Sequence, residues 1–177
     1  MSAPHHRDIH AQGSPEAAAP TPSVFRIVDI ELDEQSVLWR KPEIEQEREA
    51  AIRDLIAQNH FEPLGSNGGP YHVHLAIVEN RLVFTISLGD GHAHARIATS
   101  LTPFRRVVRD YFSVCETYYS ALCEARRSRI EALDVGRRGL HNEGAELLIE
   151  RLKGKAELDF ETARRFFTLI CVLHLRV

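Results

Sequence analysis

The stretch from residue 71 to 100, YHVHLAIVENRLVFTISLGDGHAHARIATS, constrains the fold of this chain more than any other. Val73, Leu75 and Ile77 recur at every second position, and Leu82, Phe84, Ile86 and Leu88 do the same after the pair Glu79-Asn80. Strand side chains alternate between faces, so a two-residue turn at Glu79-Asn80 that pairs 77 with 82 and 75 with 84 gathers both apolar sets on one face. A third strand following Gly89-Asp90-Gly91 adds Ala93, Ala95 and Ile97 to that face. The expectation is a three-stranded antiparallel meander whose apolar face must be covered by flanking segments.

The flanks read mostly as helix. Val24–Leu32 is β-rich with one face more apolar and is expected as a strand. Pro42 then opens a helix with Ile44, Ala51, Ile52, Leu55 and Ile56 as its stripe and acidic residues in its first turn, where the helix dipole favours them. The loop Gly65-Ser66-Asn67-Gly68-Gly69-Pro70 has no Lys-Ser/Thr and no following helix, so it reads as a turn and not a phosphate cradle. Thr102-Pro103 reads as N-cap and first residue of a helix to about Ala125, with the stripe Phe104, Val108, Tyr111, Cys115, Tyr118 and Leu122. Ser128 and Glu131 form the pattern of a capping box for the next helix. Gly154-Lys155 ends that helix, and Asp159 caps a last one that is apolar nearly all round and therefore belongs in the core or in a dimer interface. The fold class is α+β: an N-terminal strand and helix, the meander, then three C-terminal helices packed as one domain over residues 24–177. Residues 1–23 hold four of the eight prolines and no apolar periodicity, the composition of a disordered tail; His5, His6 and His10 in it would hold a metal only weakly.

The formal charge of -3 provides no chain-wide attraction to nucleic acid or anionic lipid. The three cysteines lack C-x-x-C spacing and lie within apolar helical patterns, as reduced, buried cytosolic thiols do. The N-terminus has no apolar core of the kind a signal peptide needs, and the longest apolar run, residues 166–175, is too short to span a bilayer, so a soluble cytoplasmic chain is expected.

The meander register sends His72, His74, His92, His94 and Arg96 to the polar face beside Thr85 and Ser87, with His72 and His94 flanking Ser87. Two H-x-H pairs on a sheet face can collect imidazoles for Zn²⁺ or Fe²⁺. Residues two strands apart lie near 10 Å at the backbone, wide for one tetrahedral ion, and no carboxylate accompanies the histidines in this register. The alternative is a plain polar sheet face. Arg105, Arg106 and Arg109 crowd the opening turns of their helix, where each cation costs a few tenths of a kcal/mol. An anionic partner would account for them, and Asp110 offers Arg106 an internal one at i,i+4.

In the segment GRRGLHNEGAELLIERLKGK, Gly136, Gly139 and Gly144 each cost about 1 kcal/mol relative to alanine inside a helix. The chain either breaks there or needs a close backbone approach. If helix persists, Arg138, Asn142 and Glu146 form an i, i+4, i+8 row, and Arg137 and His141 a second pair. His141 and Glu143 point about 200° apart on a helix and do not face one ion.

The segments RLVFTISLGDG, SLTPFRRVVRDYF and GRRGLHNEGAELLIERLKGKAELDFETARRFFTLICVLH resemble the uncharacterised protein family (UPF) 0262, small bacterial proteins chiefly from α-proteobacteria. The resemblance runs from about Phe25 to His174. It implies a cytoplasmic bacterial setting and supplies no activity, substrate or cofactor. The leading expectation is a non-enzymatic interaction or regulatory protein that meets a protein partner, or a second copy of itself as a homodimer, through a helical surface bearing Arg105, Arg106, Arg109, Arg137, Arg138, His141, Asn142 and Glu146. The rival is a small hydrolase, either metal-dependent through His72, His74, His92 and His94 or acid/base through His141 and a nearby Glu. Nucleic-acid binding has only the arginine count behind it.

Overall fold

A computed structural model describes residues 24–33, 42–89, 91–124 and 127–174. The tail expected over residues 1–23, with its three histidines, lies outside them. Strand β1 (Ile27–Leu32) leads to helix α1 (Pro42–Ala57), then the short β2 (Phe61–Pro63) and the meander β3 (Tyr71–Val78), β4 (Arg81–Ser87) and β5 (Ala93–Ser100). Helices α2 (Arg105–Cys123) and α3 (Arg127–Leu152), the short β6 (Ala156–Leu158) and helix α4 (Phe160–His174) complete the chain.

The meander register is as expected across its first hairpin: Ile77 lies opposite Leu82 and Leu75 opposite Phe84. Glu79 and Asn80 have φ of 48° and 60°, the double positive φ of a type I′ turn, whose twist matches that of the strands it joins. The second hairpin departs from expectation. A bulge between Ile86 and Ser87 sets Ala93 opposite Ser87, so His94 does not flank it, and Ala93 is exposed instead of facing the core.

The sheet has the order β1-β3-β4-β5, with β1 parallel to β3. Parallel neighbours need a crossover, here made by α1 and β2. The polar face of the sheet therefore gains carboxylates that the meander alone lacks: Asp29 pairs with His72 and Glu31 with His74. Asn59 fixes the outer edge of β1 by accepting from Ile27 N at 2.7 Å and donating to Ile27 O at 2.8 Å, while also donating to Leu55 O at the end of α1. A second sheet, β2 with β6 antiparallel, ties the middle of the chain to its C-terminal part.

Helix α4 is the centre of the core. It is buried from Phe166 through Leu173, and its two adjacent phenylalanines serve different neighbours. Phe166 meets Phe84 of the sheet at 5.3 Å between centroids and Phe61 at 5.9 Å. Phe167, about 100° further round the helix, meets Tyr111 of α2 and His141 of α3 at 6.1 and 5.7 Å. Asp159 caps α4 as expected, its Oδ1 accepting from Thr162 N at 2.7 Å. Removing either ring would leave a cavity worth about 3–5 kcal/mol.

Helix α3 runs unbroken through Gly136, Gly139 and Gly144. Only Gly144 is a notch: a Cβ there would fall inside van der Waals contact of the Phe167 ring, whereas one on Gly139 would meet nothing within 4 Å. Two expected caps are absent. A 3₁₀ turn over Thr102–Phe104 precedes α2, and the Thr102 hydroxyl accepts from Asn80 Nδ2 at 2.9 Å instead of capping the helix. Helix α3 begins at Arg127, so Ser128 sits inside its first turn. Cys115 and Cys171 are buried, but Cys123, at the end of α2, is exposed.

Candidate functional site

The residues singled out in the sequence separate into three places. Around the start of α2, Arg105 donates to Asn80 Oδ1 at 2.8 Å, and Arg106 bridges Asp110 of its own helix (3.3 Å) and Glu143 of α3. The i,i+4 partner foreseen for Arg106 is present, and a second carboxylate joins it. Arg109 is 76% exposed and reaches Asp110 only at 3.8 Å. On the polar sheet face, His72 and His74 line a depression of about 330 Å³ with Asp29, Glu31, Thr85 and Ser87. His92 precedes β5 and His94 is exposed at its bulged start. Among the described residues no three carboxylate, imidazole or thiol donors are gathered on one point.

The third place is a cleft of about 570 Å³ between α1, α3 and α4. Arg137, Arg138 and His141 enter it from α3, Glu161, Arg164 and Arg165 from α4, and Glu47 and Asp54 from α1. Asn142 and Glu146 are exposed and do not line it, so the row Arg138-Asn142-Glu146 contributes only its first member. The pair Arg137 and His141, one turn apart, supplies the rest.

Beneath the cleft lies a polar network that the apolar stripe of α2 conceals in the sequence. Glu47 accepts from Tyr111 at 2.6 Å, from Tyr119 at 3.3 Å and from Arg137 at 3.0 Å. Arg137 also donates to Asp134 at 3.3 Å and lies over the Tyr118 ring, its guanidinium carbon 5.2 Å from the centroid. Burial, reinforced by the Glu47 carboxylate, pushes the Tyr111 phenol far above its ordinary value and Tyr119 up to about 12, so both act as donors. Burial pulls Arg137 down, but Tyr111, Glu47 and Asp134 outweigh it and its pKa ends above the ordinary value. Burial, helped by Arg164 and Arg137, lowers His141 to about 4, so the imidazole is neutral at physiological pH. Its ring stands edge-on to Tyr111 at 4.8 Å and to Phe167 at 5.7 Å.

The remaining arginines are less committed. Arg138 shares Asp134 with Arg137, at 2.5 Å, and is 70% exposed. Arg164 reaches Glu161 at 3.4 Å, and its Nε is buried without a hydrogen-bond partner among the described residues. Arg165 donates to the Gln58 carbonyl at 2.6 Å and has no carboxylate partner among the described residues. Sequence reasoning missed Glu47, Tyr111 as a polar group, Arg164 and Arg165. The signal for the last two was their place as an adjacent cationic pair directly before the mostly apolar run of residues 166–173.

Comparison with known proteins adds kinship. Residues 24–176 match the family described as "Uncharacterised protein family (UPF0262)". The chain belongs to that family. A UPF0262 protein of Brucella canis is 57% identical over 152 residues, covering 85% of this chain and 94% of the relative. UPF0262 proteins of Rhizobium johnstonii and Rhizobium etli are each 53% identical over 152 residues, covering 86% of this chain and 96% of the relative. No solved structure matches this UPF0262 chain. No helix among its described residues is long and apolar enough to cross a membrane.

Proposed function

We propose that this chain is a non-enzymatic cytoplasmic interaction protein that holds an acidic segment of a protein partner in the cleft between α1, α3 and α4. The observation that carries this reading is the convergence of Arg138, Arg164 and Arg165 on one open cleft with fewer carboxylates committed to them than they can bind. Arg137 is already fully engaged by Glu47 and Asp134 and serves as a fixed floor. Planar guanidinium forks bind carboxylates in a bidentate manner, so an acidic chain crossing the cleft would meet Arg138 and Arg165 on its two sides. Self-association is the same reading with a second copy as the partner.

The acid/base hydrolase reading needs a carboxylate to orient His141. Glu47 is taken by Tyr111, Tyr119 and Arg137, Glu143 by Arg106 and Glu161 by Arg164, Glu146 does not line the cleft, and among the described residues no carboxylate is hydrogen-bonded or ion-paired to His141. The geometry therefore supports binding over catalysis.

The test is affinity capture from a cell extract with the wild-type chain and with Arg138→Glu/Arg165→Glu as parallel baits, with light scattering of both to read their mass. A partner, or a second copy, retained by the wild type and lost from the charge-reversed chain is expected, with retention weakening as salt rises. Identical recovery and identical mass for both baits would rule the cleft out as the binding surface.

A further inference from the structure

We propose that Asp29, Glu31, His72 and His74 form a divalent-cation site on the open face of the sheet, with Zn²⁺ the ion its donors suit best. The proposal is independent of the cleft, which lies on helices and shares no residue with it.

The backbone supplies the spacing. Parallel pairing places Asp29 beside His72 and Glu31 beside His74. Adjacent strands are about 4.8 Å apart and alternate residues about 6.7 Å apart along a strand, so four donor side chains rise from the corners of a small rectangle on one face. All four line the same depression, together with Thr85 and Ser87 of β4, the cross-strand partners of His74 and His72.

One edge of a coordination tetrahedron is already set. His72 Nδ1 and Asp29 Oδ2 are 3.5 Å apart, too long for a good hydrogen bond. Two ligands of one tetrahedral ion with bonds near 2.0–2.1 Å stand about 3.3 Å apart, which this pair meets with a shift of a few tenths of an ångström. His72 and Asp29 are 42% and 50% exposed, and Glu31 is exposed, so side-chain rotation toward a common point is open to them.

Charge and donor type choose the ion. Two neutral imidazoles and two carboxylates carry two negative charges, which a divalent cation neutralises. A nitrogen-oxygen set favours Zn²⁺ over the all-oxygen ions Ca²⁺ and Mg²⁺. Glu31 and His74 must turn inward to complete the set, so binding orders side chains that are otherwise spread along the strands. The strand pairing also decides which histidines matter. His72 and His74 sit one strand from the carboxylates; His92 and His94, beyond β4 and displaced by the bulge, do not share the site.

The experiment uses the full chain carrying His5→Ala, His6→Ala and His10→Ala, so that the N-terminal histidines contribute nothing. Zn²⁺ is added, excess is removed by dialysis, and bound metal is measured by elemental analysis; Co²⁺ loading gives a visible spectrum that reports nitrogen and oxygen ligation directly. About one Zn²⁺ per chain is expected, falling below about 0.1 in His72→Ala/His74→Ala and at least tenfold in apparent affinity in Asp29→Asn, which keeps the side-chain shape. His92→Ala/His94→Ala should still bind one. Circular dichroism of each variant confirms that it remains folded. Less than about 0.1 Zn²⁺ in the parent chain, or full binding retained by folded His72→Ala/His74→Ala, would overturn the proposal.

Discussion

The three glycines of α3 can be set against each other, because the same substitution should stabilise the fold at one and destabilise it at another. Alanine is favoured over glycine by about 1 kcal/mol inside a helix. At Gly139 a Cβ meets nothing within 4 Å, so Gly139→Ala should keep most of that gain. At Gly144 the new methyl would fall inside contact distance of Cγ, Cδ2 and Cε2 of Phe167. That ring is fully buried and wedged against Tyr111 and His141, so it cannot swing aside, and α3 and α4 would have to part. Overpacking of this kind costs about 1–3 kcal/mol. Net of propensity, Gly144→Ala should lose up to about 2 kcal/mol, which separates the two variants by about 1–3 kcal/mol. Urea denaturation reads this as opposite shifts of the midpoint at unchanged slope. Trimming the ring tests the cause: Phe167→Leu should be far less damaging in the Gly144→Ala background than alone, with a coupling of about 1 kcal/mol or more. A Gly144→Ala chain as stable as Gly139→Ala would refute the close approach of α3 to α4.

Other perturbations read the network and the cap. His141 titrates near 4 in the fold and near 6.5 when unfolded, so protonation favours the unfolded chain. The stability it contributes is present above about pH 6.5 and is lost as pH falls toward 4, which amounts to about 2 kcal/mol between pH 7.5 and 5. Denaturation of His141→Gln over that range should show a correspondingly flatter profile than wild type; parallel profiles would contradict the buried, neutral imidazole. Glu47→Ala strands the Tyr111 hydroxyl and leaves Arg137 only Asp134, and should cost about 2–3 kcal/mol, against about 1 for Tyr111→Phe, both read from urea midpoints. A loss below about 0.5 kcal/mol for Glu47→Ala would mean that the network does not tie α1 to α2 and α3. Asp159→Ala removes the acceptor of the Thr162 amide at the start of α4 and should lower stability by about 1 kcal/mol, with an unchanged thermal midpoint as the contrary result.

What the sequence discloses of the fold follows the range of the interactions concerned. The β3–β4 register was legible because alternation and a two-residue turn are local, and so was the Asp159 cap. The bulge that displaces His94 was not, since the one-residue shift between Ile86 and Ser87 leaves the composition of the third strand unaltered. Strands β2 and β6, three residues each, are too short to show a period, yet they join positions almost a hundred residues apart. The Thr102 and Ser128 caps failed for a different reason. Each residue type was right for a cap, but the helix start was set by its neighbours: Asn80 claims the Thr102 hydroxyl, and α3 begins one residue before Ser128.

The two candidate sites were hidden by the same physics, and they mark what a sequence row can and cannot assemble. A helical row reports residues that share a face of one element, as Arg138, Asn142 and Glu146 do; it says nothing about which neighbour that face meets. The cleft instead draws Glu47, Arg137 and Arg165 from three helices brought together because α4 is apolar on both sides and must lie between the sheet and the other helices. On the sheet, the histidines were legible but their partners were not. Only the parallel crossover that lays β1 against β3 puts Asp29 and Glu31 beside His72 and His74. That crossover turns a face read as four scattered imidazoles into two imidazoles and two carboxylates on adjacent strands, a set that can neutralise one divalent ion. The arginine surface changes in the opposite sense: Arg106 is spent on Asp110 and Glu143, and Arg137 on Glu47 and Asp134, so two of the arginines singled out in the sequence are already committed within the fold. Arg165, in a helix expected, from its nearly all-round apolarity, in the core or in a dimer interface, is the one left facing the cleft without a carboxylate among the described residues.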